Sequence, residues 1–193
     1  GYRIVFNLTG GFKGILAVLQ VMATFMADET VYLFQGSQDL MTIPRLPVRL
    51  ATEETVRQHL QAFRGMAVLG SVPHGGCTGL PETLYFAHDG QAGLTAWGEI
   101  VWREARDAFY KGGLLEPLSL RIRFGEAFRR AAASLAPDRL LVLNENVDQL
   151  ARMLESPENP NPRSLHFHKL TRPTEDGCTH EFYASSEGGA PRC

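Results

Sequence analysis

Asn7-Leu8-Thr9-Gly10-Gly11-Phe12-Lys13 joins a short apolar run, Tyr2-Arg3-Ile4-Val5-Phe6, to a longer one, Ile15 to Met26. The first run alternates and carries β-branched residues, as a strand does; the second has the length and apolar density of a buried helix. The order is therefore strand, polar glycine turn, helix. In an open α/β sheet such a turn lies at the carboxyl edge of the strands, where ligands collect, with the first amides of the helix facing whatever sits there. Gly10 and Gly11 let the backbone approach a phosphate without a Cβ in the way. Thr9 and Asn7 offer hydroxyl and amide hydrogen bonds, and Lys13 a mobile positive charge. The turn suits an anion, although it has neither the spacing of a P-loop nor a G-x-G-x-x-G pattern. The plainer alternative is a tight strand-to-helix turn with a surface lysine, because glycine pairs are common at such turns.

Bulk properties narrow the classes of function. At 193 residues the chain can bury one good core, or one and a small second unit. Its 44% hydrophobic and 21% charged content are those of an ordinary globular protein. A net charge of -2 argues against broad non-specific nucleic-acid binding, whereas a small cyclic nucleotide needs only one positive pocket. The apolar stretch from Gly14 to Ala27 is interrupted by Asp28 and Glu29 too soon to span a bilayer, and no positively charged leader precedes it, so a cytoplasmic location without membrane contact is expected. Cys77, Cys178 and Cys193 are an odd, widely spaced trio that suits a reducing compartment. No cofactor or metal is expected. His74 and Cys77 lack completing residues, and the H-x-H and C-x-H pairs of the tail match no common zinc module.

Along the chain, Thr30 to Phe34 reads as a buried parallel strand completing a β-α-β crossover. Gln35 to Asp39 then turns at the same edge as Thr9, and Leu40 to Leu50 should be extended and near a sheet edge. Thr52 is expected to cap a helix that runs through Val56, Leu60 and Phe63, with His59 beside its apolar stripe. Ser71 to Pro81 reads as a loop, and Leu84 to Ala87 as a short strand ended by the turn His88-Asp89-Gly90. Thr95 should cap a second helix, closed by Lys111-Gly112-Gly113. Leu118 to Phe124 alternates and fits an outer strand or an extended linker. Glu126 to Leu135 and the segment from Leu140 to Met153 should be bundled helices. Residues 156–163 form a proline-rich linker, and 164–193 a β-hairpin in which His166 and His168 would share a strand face.

The Asn7 to Lys13 turn, with Thr30 to Phe34 as the next strand and Ile43-Pro44-Arg45-Leu46-Pro47 after it, resembles the CRISPR-associated Rossmann-fold (CARF) sensor domains. It is most similar to the branch that includes standalone ring nucleases. Their second ligand loop follows a mid-sheet strand and carries Asn-x-Thr-Gly-Gly-(Phe/Thr)-Lys. The similarity continues through Leu94-Thr95-Ala96-Trp97-Gly98-Glu99 to about Leu154 and corresponds to the latter half of such a protein. It implies an α/β, Rossmann-like parallel sheet with flanking helices across residues 1–155. The first strands and first ligand loop are expected upstream of Gly1, and a helical extension and the C-terminal hairpin complete the fold. The hairpin faintly resembles the start of a RelE-type mRNA interferase, which makes Lys169, Arg172, His180 and Arg192 candidates to face RNA or the ribosome; the plainer alternative is a structural or regulatory appendage.

The CARF resemblance implies a homodimer binding cyclic oligoadenylate, with cyclic tetra-adenylate the expected ring, through Asn7, Thr9, Gly10, Gly11, Phe12 and Lys13. In relatives that degrade the ring, a ribose 2'-hydroxyl attacks its own phosphodiester without a metal, and Lys13 and Thr9 are the candidate catalytic residues that would stabilise the developing charge. Two classes of function follow: a second-messenger sensor, with or without ring-nuclease activity, or a non-catalytic interaction or dimerisation module.

Overall fold

The computed structural model describes residues 2–10, 13–34, 36–37, 39–45, 52–156, 158, 165–173, 177 and 179–182, the side chain of Lys13 excepted. The fold is mixed α/β, and the chain forms two compact units, Gly1–Ala51 and Thr52–Cys193.

The first unit holds β1 (Val5–Asn7), α1 (Lys13–Met26), β2 (Glu29–Leu33) and β3 (Leu40–Ile43), with the strands in the order β1-β2-β3. β1 and β2 run parallel, in register from Val5 with Glu29 to Asn7 with Val31, so the expected β-α-β crossover is present. β3 returns antiparallel, with Leu33 opposite Leu40. Asp28 fixes the amino ends of the parallel pair: its carboxylate accepts from Ile4 N at 2.7 Å, and its own N–H donates to Ile4 O at 2.9 Å. At the other end Leu8 N donates to Val31 O at 2.9 Å, carrying the pairing one residue past β1.

The helix is not buried as its apolar density predicts. Ala23 and Phe25 are buried, yet Ile15, Val18 and Val21 are 45–52% exposed. A helix apolar all round needs cover on two sides; three short strands supply one.

The second unit opens with α2 (Glu53–Gln58) and α3 (Leu60–Leu69). The single helix read from Val56, Leu60 and Phe63 is thus broken at His59, whose backbone (φ -126°, ψ 29°) leaves the helical region. Thr52 does not cap with its hydroxyl: its backbone is already helical (ψ -14°) and the residue is buried, so the side chain makes no bond to the first turn. Within the stretch read as a loop lie β4 (Val72–Pro73) and a 3-10 turn (His74–Cys77); a proline fits there because β4 is an edge strand. The expected strand and turn are present as β5 (Tyr85–His88) and Asp89-Gly90. A second strand, β6 (Gln91–Leu94), not expected from the sequence, makes them a hairpin, with Asp89 (φ 50°) and Gly90 (φ 75°) both left-handed as a tight I′ turn demands. The sheet is antiparallel, in the order β4-β6-β5.

Thr95 caps α4 (Ala96–Gly112) as expected, accepting from Gly98 N at 3.2 Å while its hydroxyl donates to Thr83 O at 2.7 Å. The segment from Leu118 to Phe124 is irregular, turning where Ile122 N donates to Ser119 O, and is no strand. α5 (Glu126–Ala133) and α6 (Pro137–Glu155) follow, then β7 (His168–Lys169) paired antiparallel with β8 (His180–Glu181).

Two clusters hold this unit together. Val56, Phe63, Met66, Leu80, Leu84, Val101, Trp102 and Tyr110 pack between the hairpin and helices α2 to α4. Phe128, Ala132, Leu143, Val147 and Leu150 of α5 and α6 form the other, closed by Leu165 and Phe182 from the tail. Tail and helices therefore share one core.

Candidate functional site

The described part of the predicted ligand turn, Asn7 to Gly10, is held from within. Thr9 N donates to Asn7 Oδ1 at 2.9 Å, an Asx-type turn that stops β1. Thr9 Oγ1 accepts from Leu33 N at 2.7 Å, tying the carboxyl end of β1 to that of β2. A hydroxyl that accepts this way still has its hydrogen to donate. Gly10 lies at φ +78°, a conformation glycine adopts freely, and a Cβ there would meet nothing within 4 Å. Leu8 is buried beneath while Asn7, Thr9 and Gly10 are exposed. Helix α1 starts at Lys13, so first-turn amides without an intrahelical partner stand at the same edge. Gly11, Phe12 and the Lys13 side chain lie outside the described residues.

The sequence reading assigned Thr9 and Asn7 to a ligand and missed their structural partners. Asn7 Oδ1 and Thr9 Oγ1 are both engaged by backbone amides, so what they can offer a ligand is the Asn7 NH₂ and the Thr9 hydroxyl hydrogen. The amide of Leu33 is invisible to motif reading, because it enters only through the parallel register.

The hairpin candidates are placed in part. Lys169 and His180 stand opposite each other on β7 and β8, Arg172 is exposed in the following turn, and Arg192 lies outside the described residues. His166 does not share a strand face with His168: its φ of 44° puts it in a turn before β7. His168 bridges to Glu181 at 2.7 Å, and Phe167 stacks on His180 with centroids 5.0 Å apart. Among the described residues no group of three or more His, Cys, Asp or Glu could hold a metal ion.

A second concavity, absent from the sequence reading, lies within the second unit. A groove of about 440 Å³ runs between α3, α4 and α6, edged by Arg103, Arg106, Glu145 and Arg152 and floored by Trp102, Tyr110 and Asp148. Below it Arg64, fully buried, meets Asp148 through Nε at 3.2 Å and through Nη2 at 2.6 Å, the latter a close charge contact rather than an aligned hydrogen bond. The Tyr110 hydroxyl donates to the same carboxylate. Burial pushes that phenol well above its ordinary range, and the adjacent Asp148 raises it further, so Tyr110 stays a neutral donor. Arg106 lies over the Tyr110 ring at 4.7 Å and pairs with Glu145. Two ion pairs, Arg64 with Asp148 and Arg106 with Glu145, join facing helices at this groove, which fits a packing role. The available sequence signal was Arg64, a cation in an apolar helix.

Among the described residues no helix is long and apolar enough to cross a membrane. No curated protein matches the chain. Residues 1–46, the stretch that contains the candidate turn and the three described strands of the first unit, match the family model described as CRISPR-associated protein (Cas_APE2256), which supports a CRISPR-related role.

Proposed function

We propose that this chain is a sensor of cyclic oligoadenylate, cyclic tetra-adenylate in the first instance, in type III CRISPR antiviral defence. The observation that carries the reading is the coincidence of the CRISPR-associated match over residues 1–46 with an exposed strand-to-helix glycine turn inside it. The turn offers what a phosphodiester needs: first-turn amides, an unobstructed glycine, a threonine hydroxyl hydrogen and a lysine at the helix start. The ligand would be gripped through its charge by a chain that is slightly acidic overall, and a small ring demands no more.

Two extensions belong to the same reading. As a ring nuclease the protein would hold a ribose 2'-oxygen in line with its own phosphorus. That oxygen loses its proton to water and bonds to phosphorus while the 5'-oxygen leaves and takes a proton from water, giving a 2',3'-cyclic phosphate and a 5'-hydroxyl. Lys13 and Thr9 would stabilise the charge on the phosphoryl oxygens. The protein would act as a homodimer, and the tail bearing Lys169, Arg172, His180 and Arg192 would couple binding to a RelE-like RNase. The competing reading, a non-catalytic interaction or dimerisation module, draws on the apolar residues that the first unit leaves exposed.

Calorimetry with cyclic tetra-adenylate separates the two. Binding by the parent, weakened about tenfold or more in Lys13→Ala by loss of a charge-assisted contact, is expected; a folded parent that gives no heat refutes the sensor. Incubation with EDTA then asks whether the ring is opened. An intact ring leaves a sensor without nuclease activity.

A further inference from the structure

We infer that Phe34 is the platform on which a base of the bound nucleotide stacks, an inference that rests on the sensor reading above. β1 and β2 are parallel neighbours, so the residues following each strand emerge at one edge of the sheet. The bond from Leu33 N to Thr9 Oγ1 is 2.7 Å, and Phe34 follows Leu33 directly. One N–Cα bond and one Cα–Cα step beyond that contact hold the Phe34 Cα within about 8 Å of the threonine hydroxyl.

Phe34 is 61% exposed in a turn whose other described residues, Gly36, Ser37 and Asp39, are small or polar. A phenylalanine is usually buried, and nothing in the polar turn asks for one. Gly36, at φ +87°, has no described heavy atom within 4 Å of where a Cβ would stand, its chain neighbours apart. A phosphate-holding turn beside an exposed aromatic face matches a nucleotide, which carries its charge at one end and a flat π surface at the other. Stacking of this kind is tolerant of base identity. Phe34 would therefore supply affinity, while preference for adenine would have to come from other groups.

Leu40 and Met41 on β3 are also exposed, and Leu40 stands opposite Leu33, so the rival occupant is an apolar protein partner. The test uses the full chain as parent, Phe34→Ala and Phe34→Trp, titrated with cyclic tetra-adenylate, with molar mass measured by light scattering and folding checked by circular dichroism. Stacking predicts that Phe34→Ala binds about 10- to 100-fold more weakly at unchanged mass. Phe34→Trp should retain affinity and show quenched indole emission on binding, beyond any change in the parent. If Phe34→Ala binds as the parent does, the platform is wrong while the sensor reading stands. If its affinity and its molar mass fall together, Phe34 belongs to a subunit contact and stacking is overturned. If the folded parent does not bind, both readings fall.

Discussion

The two units of this chain solve the problem of apolar surface differently. In the first, Ile15, Val18 and Val21 line an uncovered helix face, and Tyr2, Ile4, Val5, Phe34, Leu40 and Met41 are exposed on or beside the strands. In the second, a longer stretch exposes only Phe86, Leu120 and Val142 among its described large apolar residues, and it encloses an arginine, an aspartate and an asparagine completely or nearly so. Burying charge is tolerable only where packing is already secure and every partner is in place. The second unit is thus organised to hold itself. The first leaves much of its apolar surface uncovered, and the candidate turn lies in that unit.

The largest effect should come from breaking the second unit at its charged centre. Asp148→Ala strands Arg64 without a carboxylate and removes the acceptor of Tyr110, which should cost about 3–5 kcal/mol in urea denaturation. The double change Arg64→Met with Asp148→Leu should recover most of that loss. A single variant as stable as the parent would mean that this unit does not depend on its interior.

A smaller effect is expected in the first unit. Thr9→Val leaves Leu33 N without its hydroxyl acceptor at the carboxyl edge, for about 1 kcal/mol, and should also weaken any ligand that needs the hydroxyl. Loss of stability without any change in cyclic tetra-adenylate affinity would confine Thr9 to holding the two strands together.

The helix face sharpens the comparison further. Val18→Lys should change the stability of the isolated chain by no more than about 0.5 kcal/mol, since the residue is already 48% exposed. If light scattering shows a dimer that the lysine disperses, this face is where copies meet.

The smallest effect concerns the surface pair of Glu116 with Arg129. Hydrogen bonding to Arg129 holds the Glu116 carboxyl below its ordinary range. The pair therefore contributes at neutral pH and is lost as pH falls through that lowered value. Glu116→Gln should be nearly indistinguishable from the parent below that point and slightly less stable above it, as read from melting temperatures across a pH series.

Local chemistry made much of this legible in advance. The strand, glycine turn and helix at the start, the Asp-Gly turn after β5 and the Thr95 cap each depend on a few adjacent residues, and each is where the sequence puts it. What escaped depends on distant partners. The break at His59 and the Thr52 hydroxyl that does not cap follow from how α2 and α3 pack, and the exposure of Ile15 follows from how few described strands lie against α1. The Arg64–Asp148 pair joins residues 84 positions apart, with no periodicity to announce it. The candidate turn shows the same division: its glycine and its hydroxyl were readable, but the amide of Leu33 that positions the hydroxyl comes from the sheet register.

Leu165 and Phe182 come long after the helices in sequence yet are shut in among Phe128, Leu143 and Val147. The tail is therefore a keystone of the helical core as well as a candidate contact surface. A polypeptide cut after Glu155 would present an oily hollow to water, and it should clump in solution even though every helix remained intact.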